Sequence, residues 1–289
     1  MAETAQPTAQ LKAIAAMIAG AALLSLNDAV SKYLTESYPV GQIIALRQMC
    51  SFLVLIPYVH WVSGWPALKM TNRRGQLVRG FFTVTTMGLI VLSLSLLPLA
   101  TVISIAFSSP IIVVALSAAF LGETVGHRRW FAVLLGFIGV LVIIRPGGAS
   151  FHYLLMIPFL TAISAALRDT LTRPLSRTEP SISILFWSSV MVVAAASTTA
   201  LWGWKPVSPA DAGWLLLNGI LSAGAHFLMI EALRLGDASL VAPFRYTGLL
   251  WALLLGFLIW GQWPDAWTLT GAAILVASGV YIIERESGR

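Results

Sequence analysis

Asn27-Asp28-Ala29-Val30-Ser31-Lys32 and Arg168-Asp169-Thr170-Leu171-Thr172-Arg173 decide how this chain is built. Each hexad holds an aspartate second, a hydroxyl fifth and a base last, and each lies in an apolar run. They stand about 140 residues apart, and the same offset carries Pro39 to Pro180. Further along, Leu97-Pro98-Leu99-Ala100-Thr101 is answered by Leu235-Gly236-Asp237-Ala238-Ser239. Leu121-Gly122-Glu123 is answered by Trp260-Gly261-Gln262, after a gap of one residue. Gly139-Val140-Leu141-Val142-Ile143 is answered by Gly279-Val280-Tyr281-Ile282-Ile283. The matches keep their order and fall at equivalent points of two halves. A period of 20–50 residues would signal a solenoid. A period near 140 signals a duplicated bundle instead.

The material between the matches is apolar. The chain has 289 residues, of which 58% are hydrophobic and 10% charged, and its mean hydropathy is +0.84. A soluble domain carries about 25% charged residues. A membrane span needs about 20 mostly apolar residues. Spans are predicted at 11–34, 40–62, 77–96, 100–121, 130–145, 151–172, 182–203, 212–234, 239–260 and 267–284. The first repeat is therefore 11–145 and the second 151–284, with a polar tail at 1–10 and a short tail at 285–289. Five spans per repeat is an odd number, so the second repeat enters the membrane from the opposite side. The predicted fold class is an all-α polytopic membrane protein, with ten transmembrane helices as two inverted five-helix repeats around a central cavity. Inverted repeats of this kind suit a binding site near the midplane that is exposed alternately to either side.

The bases set an expected orientation. With the N-terminus in the cytoplasm, twelve Lys and Arg fall on inside segments and Lys32, Arg145 and Lys205 on outside ones; Arg47, Arg168 and Arg245 lie within spans. The positive-inside rule then makes both termini cytoplasmic. On the same reading the net charge of +6 belongs to membrane flanks rather than to nucleic-acid binding. Cys50 is the one cysteine, which excludes a disulfide within the chain. The polar first ten residues lack a basic n-region, so no cleavable signal peptide is expected.

Ionisable groups inside spans cost about 2.5–3.5 kcal/mol each and usually face a cavity or a partner. Asp28 and Arg47 lie toward the outer face, and are expected to form an outer gate. Asp169, Glu231 and Arg245 lie toward the inner face, and are expected to form an inner one. The alternative is static helix–helix bridging, or snorkelling to nearby headgroups. His226, Trp251, Met87, Ser108 and Ser109 fall near the midplane and are candidate substrate contacts. Tyr246 joins them because it and Trp251 could offer flat faces to a planar or cationic solute. Bundle packing is the other reading of these residues. Pro110 and Pro243 free backbone carbonyls from their helices, through a broken helix or an ordinary kink. Trp61, Trp65, Trp130, Trp202, Trp204, Trp214, Trp263 and Trp267 sit near span ends, as an aromatic belt does.

The ten spans, the two five-helix halves, the string Phe120-Leu121-Gly122-Glu123 and the stretch APFRYTGLLWALLLGFLIWGQ at 242–262 resemble the drug/metabolite transporter superfamily in its EamA branch. The overall pattern is also similar to the bacterial aromatic amino-acid exporters of that superfamily. The resemblance implies that spans one, three, four, six, eight and nine line the cavity while five and ten pack outside. Gln262 departs from it, since a glutamate is frequent there, and a carboxylate role at that position is lost. No phosphate-binding Gly-x-x-x-x-Gly-Lys-Ser/Thr string and no metal-ligand string occurs. The expected protein is a secondary transporter of the bacterial inner membrane, exporting aromatic or neutral amino acids or similar small metabolites. It is read as no enzyme, with no cofactor, no metal and no nucleic-acid partner, and as functional as a monomer in the lipid bilayer. The alternative cargo is a nucleoside, a cofactor metabolite or a cationic drug. The alternative class is a passive channel.

Overall fold

The computed structural model describes residues 7–120, 127–145, 152–175, 178–235 and 242–287. Every regular element among them is helical. Helix α1 runs over Pro7–Leu34, α2 over Val40–Tyr58 with a π-helical turn Val59–Ser63, and α3 over Arg73–Leu96. The fourth span is broken into α4, Leu99–Ala106, and α5, Ser109–Phe120. Helix α6 covers His127–Ile144 and α7 Met156–Leu175; α8, Ser181–Ser197, continues as a 3-10 turn Thr198–Trp202. Helix α9 is Pro209–Leu235. The ninth span opens as a 3-10 turn, Ala242–Tyr246, and becomes α10, Thr247–Trp260; α11 is Ala266–Ser287. These elements form ten spans in two repeats, and six of the helices are long and apolar enough to cross a membrane by themselves. The chain crosses the bundle at each span. One face, here the terminal face, therefore carries residues 7, 73, 175, 181, 235 and 287, and the far face carries 34–40, 97–98, 145, 203–208 and 261–265.

Helix contacts repeat under exchange of the halves. The α1–α9 pairing is mirrored by α3–α7, α2–α9 by α3–α8, and α1–α10 by the contacts of α4 and α5 with α7. Three pairings are their own mirror images, α2–α8, α4–α10 and α6–α11. That is the signature of a twofold axis lying in the membrane plane. Residues related by the repeat offset meet each other there. Gln48 Nε2 donates to Ser189 Oγ at 2.8 Å, and the Phe107 and Tyr246 rings meet edge to face at 5.5 Å. Where α6 crosses α11, Gly139 and Gly271 bring the backbones together. A Cβ at Gly271 would stand 2.6 Å from Gly139 O, and one at Gly139 would stand 2.9 Å from Gly271 O. Small residues permit such crossings because helix association in lipid rests on close packing.

Both prolines expected to interrupt helices lie at breaks. Pro110 is the second residue of α5, where no helical N–H is required. The gap before it is closed by Ser108, whose Oγ donates to Ile105 O at 2.7 Å. Pro243 lies in the 3-10 turn of the ninth span, and Thr247 Oγ1 donates to Phe244 O at 2.6 Å there. The two spans thus break at equivalent positions, and the Ile105 and Phe244 carbonyls at the breaks are bonded by side-chain hydroxyls, as a membrane interior requires.

The far end of the bundle is sealed by side chains from both halves. Ala29 of α1, Leu94 of α3, Val102 and Ile103 of α4, and Leu249 and Ala252 of α10 form one buried cluster. At the terminal end, a smaller cluster joins Ala13 and Met17 of α1 to Ala232 of α9, with Phe244 beside it. Among the described residues no apolar cluster ties α7 to α9 or α10 at that end. The side chains of Glu231, Pro110, Arg173 and Arg234, and residues 121–126, lie outside the described residues.

Candidate functional site

Polar bonds reinforce the far seal. Lys32 Nζ donates to Leu94 O and Leu97 O, both at 2.8 Å, and lies 5.6 Å from the centre of the Trp260 ring. Trp260 Nε1 donates to Glu36 Oε1 at 3.2 Å. One side chain of the first repeat therefore binds the end of α3 and touches the end of α10 in the second. Next to it Gln42 and Lys205 exchange bonds: Gln42 Nε2 donates to Lys205 O at 2.7 Å, and Lys205 N donates to Gln42 Oε1 at 2.9 Å. Tyr38 Oη donates to Asp211 Oδ2 at 2.7 Å. At the rim Arg145 pairs with Asp265. Burial alone would raise the Asp265 carboxyl, but its bonds from the Thr268 side chain and backbone N–H, together with Arg145, hold it below its usual value.

Deeper in, two networks are related by the repeat. In the far half, Arg47 Nη1 donates to Ser31 Oγ at 3.0 Å, and Asn218 Nδ2 donates to the same oxygen at 3.0 Å. In the terminal half, Arg79 Nε donates to Thr172 Oγ1 at 2.7 Å and its Nη1 to Ser188 Oγ at 2.5 Å. Ser31 corresponds to Thr172, Arg47 to Ser188 and Asn218 to Arg79 at the repeat offset of about 140. Each network ties three helices through one guanidinium, supplied by the second span in one half and by the third in the other. Close backbone approach supports both. A Cβ on Gly219 would meet Cys50 and Arg47 O, and one on Gly80 would meet Met191.

The aspartates of the two hexads differ. Asp169 is clamped: Arg168 Nε and Nη2 both lie 2.8 Å from its Oδ1. Arg79 stands within electrostatic reach of that pair. Asp28 accepts from the Asn27 amide at 3.1 Å and interacts with Arg47 only through space. The direct Asp28–Arg47 contact expected of an outer gate is not made in this structure, because Ser31 and the Met87 sulfur, at 2.9 Å from Nη2, hold the guanidinium. Of the residues expected at an inner gate, Asp169 is paired with Arg168, Arg245 is exposed, and the Glu231 side chain lies outside the described residues.

Around the midplane, His226 and Met87 occupy equivalent positions of the two repeats. His226 Nδ1 lies 2.7 Å from Ser222 O, so this nitrogen donates. Nε2 of the neutral ring is then left as an acceptor. His226 is within electrostatic reach of Arg47, Arg168 and Arg245. His226 and Asp28 are both half-buried among the helices. Trp251 is half-buried on α10. Tyr246 is buried against Phe107, and its hydroxyl has no hydrogen-bond partner among the described residues. Ser108 and Ser109 are both buried, and the Ser108 hydroxyl is spent on the end of α4.

Sequence reasoning missed several residues. Lys32 and Arg79 read as flanking bases, yet they are only 9% and 8% exposed and bind across helices. Their signal was position: Lys32 closes the hexad, and Arg79 falls opposite Asn218 in the repeat. Glu179 was also missed. It is buried, and its Oε1 accepts from Thr71 N at 2.6 Å and Asn72 N at 2.5 Å, joining the halves at the terminal face. It is the one acid in a basic loop, 173–181. Gln262 carries a buried Oε1 without a partner among the described residues.

The sequence profile described as the EamA-like transporter family matches residues 11–145 and again 151–284. An S-adenosylmethionine uptake transporter of Rickettsia bellii is 29% identical over 91% of this chain and 90% of its own. A riboflavin transporter of Rhizobium johnstonii is 26% identical, over 94% and 91%. The pseudopaline exporter CntI of Pseudomonas aeruginosa is 25% identical, over 91% and 93%. One crystal structure, 20% identical, shares the fold with a TM-score of 0.63 over 95% of this chain and 96% of the other.

Proposed function

The chain belongs to the EamA-like transporter family, and on that premise we propose that it carries a cofactor-class metabolite across the bacterial inner membrane by alternating access. Transport of a small metabolite follows from the family; the cargo and the cycle are the proposal. The observation that carries it is the inverted pairing of helices, with an apolar cluster closing the far end. The relatives are named for S-adenosylmethionine, riboflavin and pseudopaline. Those names favour the cofactor-metabolite alternative over the amino-acid reading. The side chains support it too: half-buried Trp251 offers aromatic surface for a flat heterocycle, and His226 Nε2 offers an acceptor for a ring N–H or an amino group. The direction of net flow is left to experiment, since the relatives include importers and an exporter by name.

Proteoliposomes loaded with unlabelled riboflavin, S-adenosylmethionine or tryptophan, each tested alone, should show saturable trans-stimulated uptake of the labelled compound for one of the first two. A pore gives no trans-stimulation. Stimulation by tryptophan alone would return the cargo to the amino acids. For the active compound, His226→Ala and Trp251→Ala should each weaken apparent affinity by about 5–20-fold, the worth of one buried polar or aromatic contact of about 1–1.8 kcal/mol. Wild-type affinity in both variants, at normal expression, would assign the two side chains to packing.

The orientation reading puts both termini, and hence the terminal face, in the cytoplasm, so the sealed far face is periplasmic. In a Cys50→Ala background, single cysteines at Arg74 and Lys205 test it. Impermeant reagent added outside spheroplasts should label position 205 and leave 74 unmodified. The reverse pattern would invert the assignment.

A further inference from the structure

The connection between the second and third spans forms a ledge at the terminal face. It runs from the π-helical turn Val59–Ser63 through a 3-10 turn, Trp65–Leu68, into the first turn of α3. Trp61, Val62 and Trp65 are exposed on it, and so are Lys69, Arg73 and Arg74. One turn further into the span, α3 exposes Leu77 and Val78. Residues four apart share one face of a helix, about 6 Å apart along its axis. Arg73 and Arg74 therefore stand a turn above Leu77 and Val78, with their charge at headgroup height over an apolar face for lipid chains.

Among the described residues no carboxylate answers this charge. The sequence has no Asp or Glu between Glu36 and Glu123. Glu179, which precedes α8, is buried and is taken by Thr71 N and Asn72 N. The first turn of α3 holds no acid either, and it is the positive end of the helix dipole, so the two guanidiniums there are repelled by it. The second repeat also fixes the ledge in place, because Trp187 Nε1 donates to Leu68 O at 2.8 Å.

The repeat supplies an internal comparison. At the far face Gly203 answers Gly64, and both have positive φ, 87° and 75°. Leu201 and Trp202 are exposed there as Trp61 and Val62 are here. Where the terminal ledge has Lys69, Arg73 and Arg74, the far one has Ser208, Ala212 and Gly213. The charges of the far ledge are spent within the protein: Lys205 Nζ donates to Ser37 O, and Asp211 accepts from Tyr38 and Ser208. Both ledges thus carry the apolar surface that any interface segment needs. Only the terminal one adds a cluster of bases that the described residues leave unanswered.

We propose that the terminal ledge binds one anionic phospholipid, its phosphate held by Lys69, Arg73 and Arg74 and its chains lying along Leu77 and Val78. The far ledge takes none. Bases beside a membrane surface attract anionic lipid, each contributing about fivefold.

Native mass spectrometry of the purified protein with phosphatidylglycerol or phosphatidylcholine tests this. One phosphatidylglycerol should be retained in preference to phosphatidylcholine. The triple variant Lys69→Gln, Arg73→Gln, Arg74→Gln should bind it at least fivefold more weakly. Lys12→Gln removes an exposed base of α1 at the same face but off the ledge, and should bind like the parent. Should the triple variant fail to insert, Arg73→Gln and Arg74→Gln singly must each weaken binding about fivefold. Equal retention of the two lipids overturns the site, and so does parental affinity in the ledge variants. An equal loss in Lys12→Gln would mean diffuse surface charge and no site. Displacement of the lipid by excess inorganic phosphate would assign the bases to a free phosphate group and overturn the lipid.

Discussion

Lys32→Met should open the far face. The variant keeps an apolar stem and loses the ammonium that holds Leu94 O and Leu97 O. Hydrogen bonds to a charged group contribute about 1.5–3 kcal/mol each, less the cost of burying the ion. A net shift of about 1–3 kcal/mol would change the ratio of open to closed forms by about 5- to 150-fold. The latch also spans the repeats, because Trp260 lies against the ammonium and bonds Glu36. A cysteine at Val102, in the sealing cluster, reads the change in a Cys50→Ala background. Impermeant reagent added from the far face should modify it faster in Lys32→Met than in the parent, and Lys32→Arg should be intermediate. Equal rates in all three would mean that the apolar cluster seals the face without the latch.

Gly271→Ala should lower stability by about 1–3 kcal/mol, the usual cost of overpacking. The added carbon would stand 2.5 Å from Ile143 Cγ1 and 2.6 Å from Gly139 O. The second of these is backbone, which cannot rotate out of the way, so α6 and α11 must separate. Gly213→Ala is the matched control, since nothing lies within 4 Å of a Cβ there. That variant should be neutral, or slightly more stable because alanine favours the helix. Thermal unfolding in detergent should show a clear loss for the first and none for the second. An equal melting temperature for Gly271→Ala and the parent would deny the close crossing. The crossing matters to function as well, because α6–α11 lies on the in-plane axis that relates the halves.

Much of this was legible in the sequence because it follows from local chemistry. Apolar runs of about 20 residues have one stable form in lipid, since every backbone N–H and C=O must be satisfied within the span. The ten spans follow, and the odd number per repeat inverts the second half. The matched hexads located both aspartates, and the prolines located both breaks. The choice of partners was not legible, because in-span charges have several reachable partners and sequence gives only depth. Asp28 and Arg47 were rightly placed on neighbouring helices, but the tertiary structure gives Arg47 to Ser31 and Met87. Asp169, one carboxylate expected to meet Arg245, is paired with Arg168 instead. Lys32 and Arg79 looked like flank charges until the packing of α3 against its neighbours enclosed them. The sequence by itself thus determined the spans, their inversion and the places of the two hexad aspartates. Which groups Arg47 and Arg79 bond was decided only when helices from both repeats came within bonding distance. A hydrogen bond depends on a few tenths of an ångström between groups some 140 residues apart, and no local pattern encodes that.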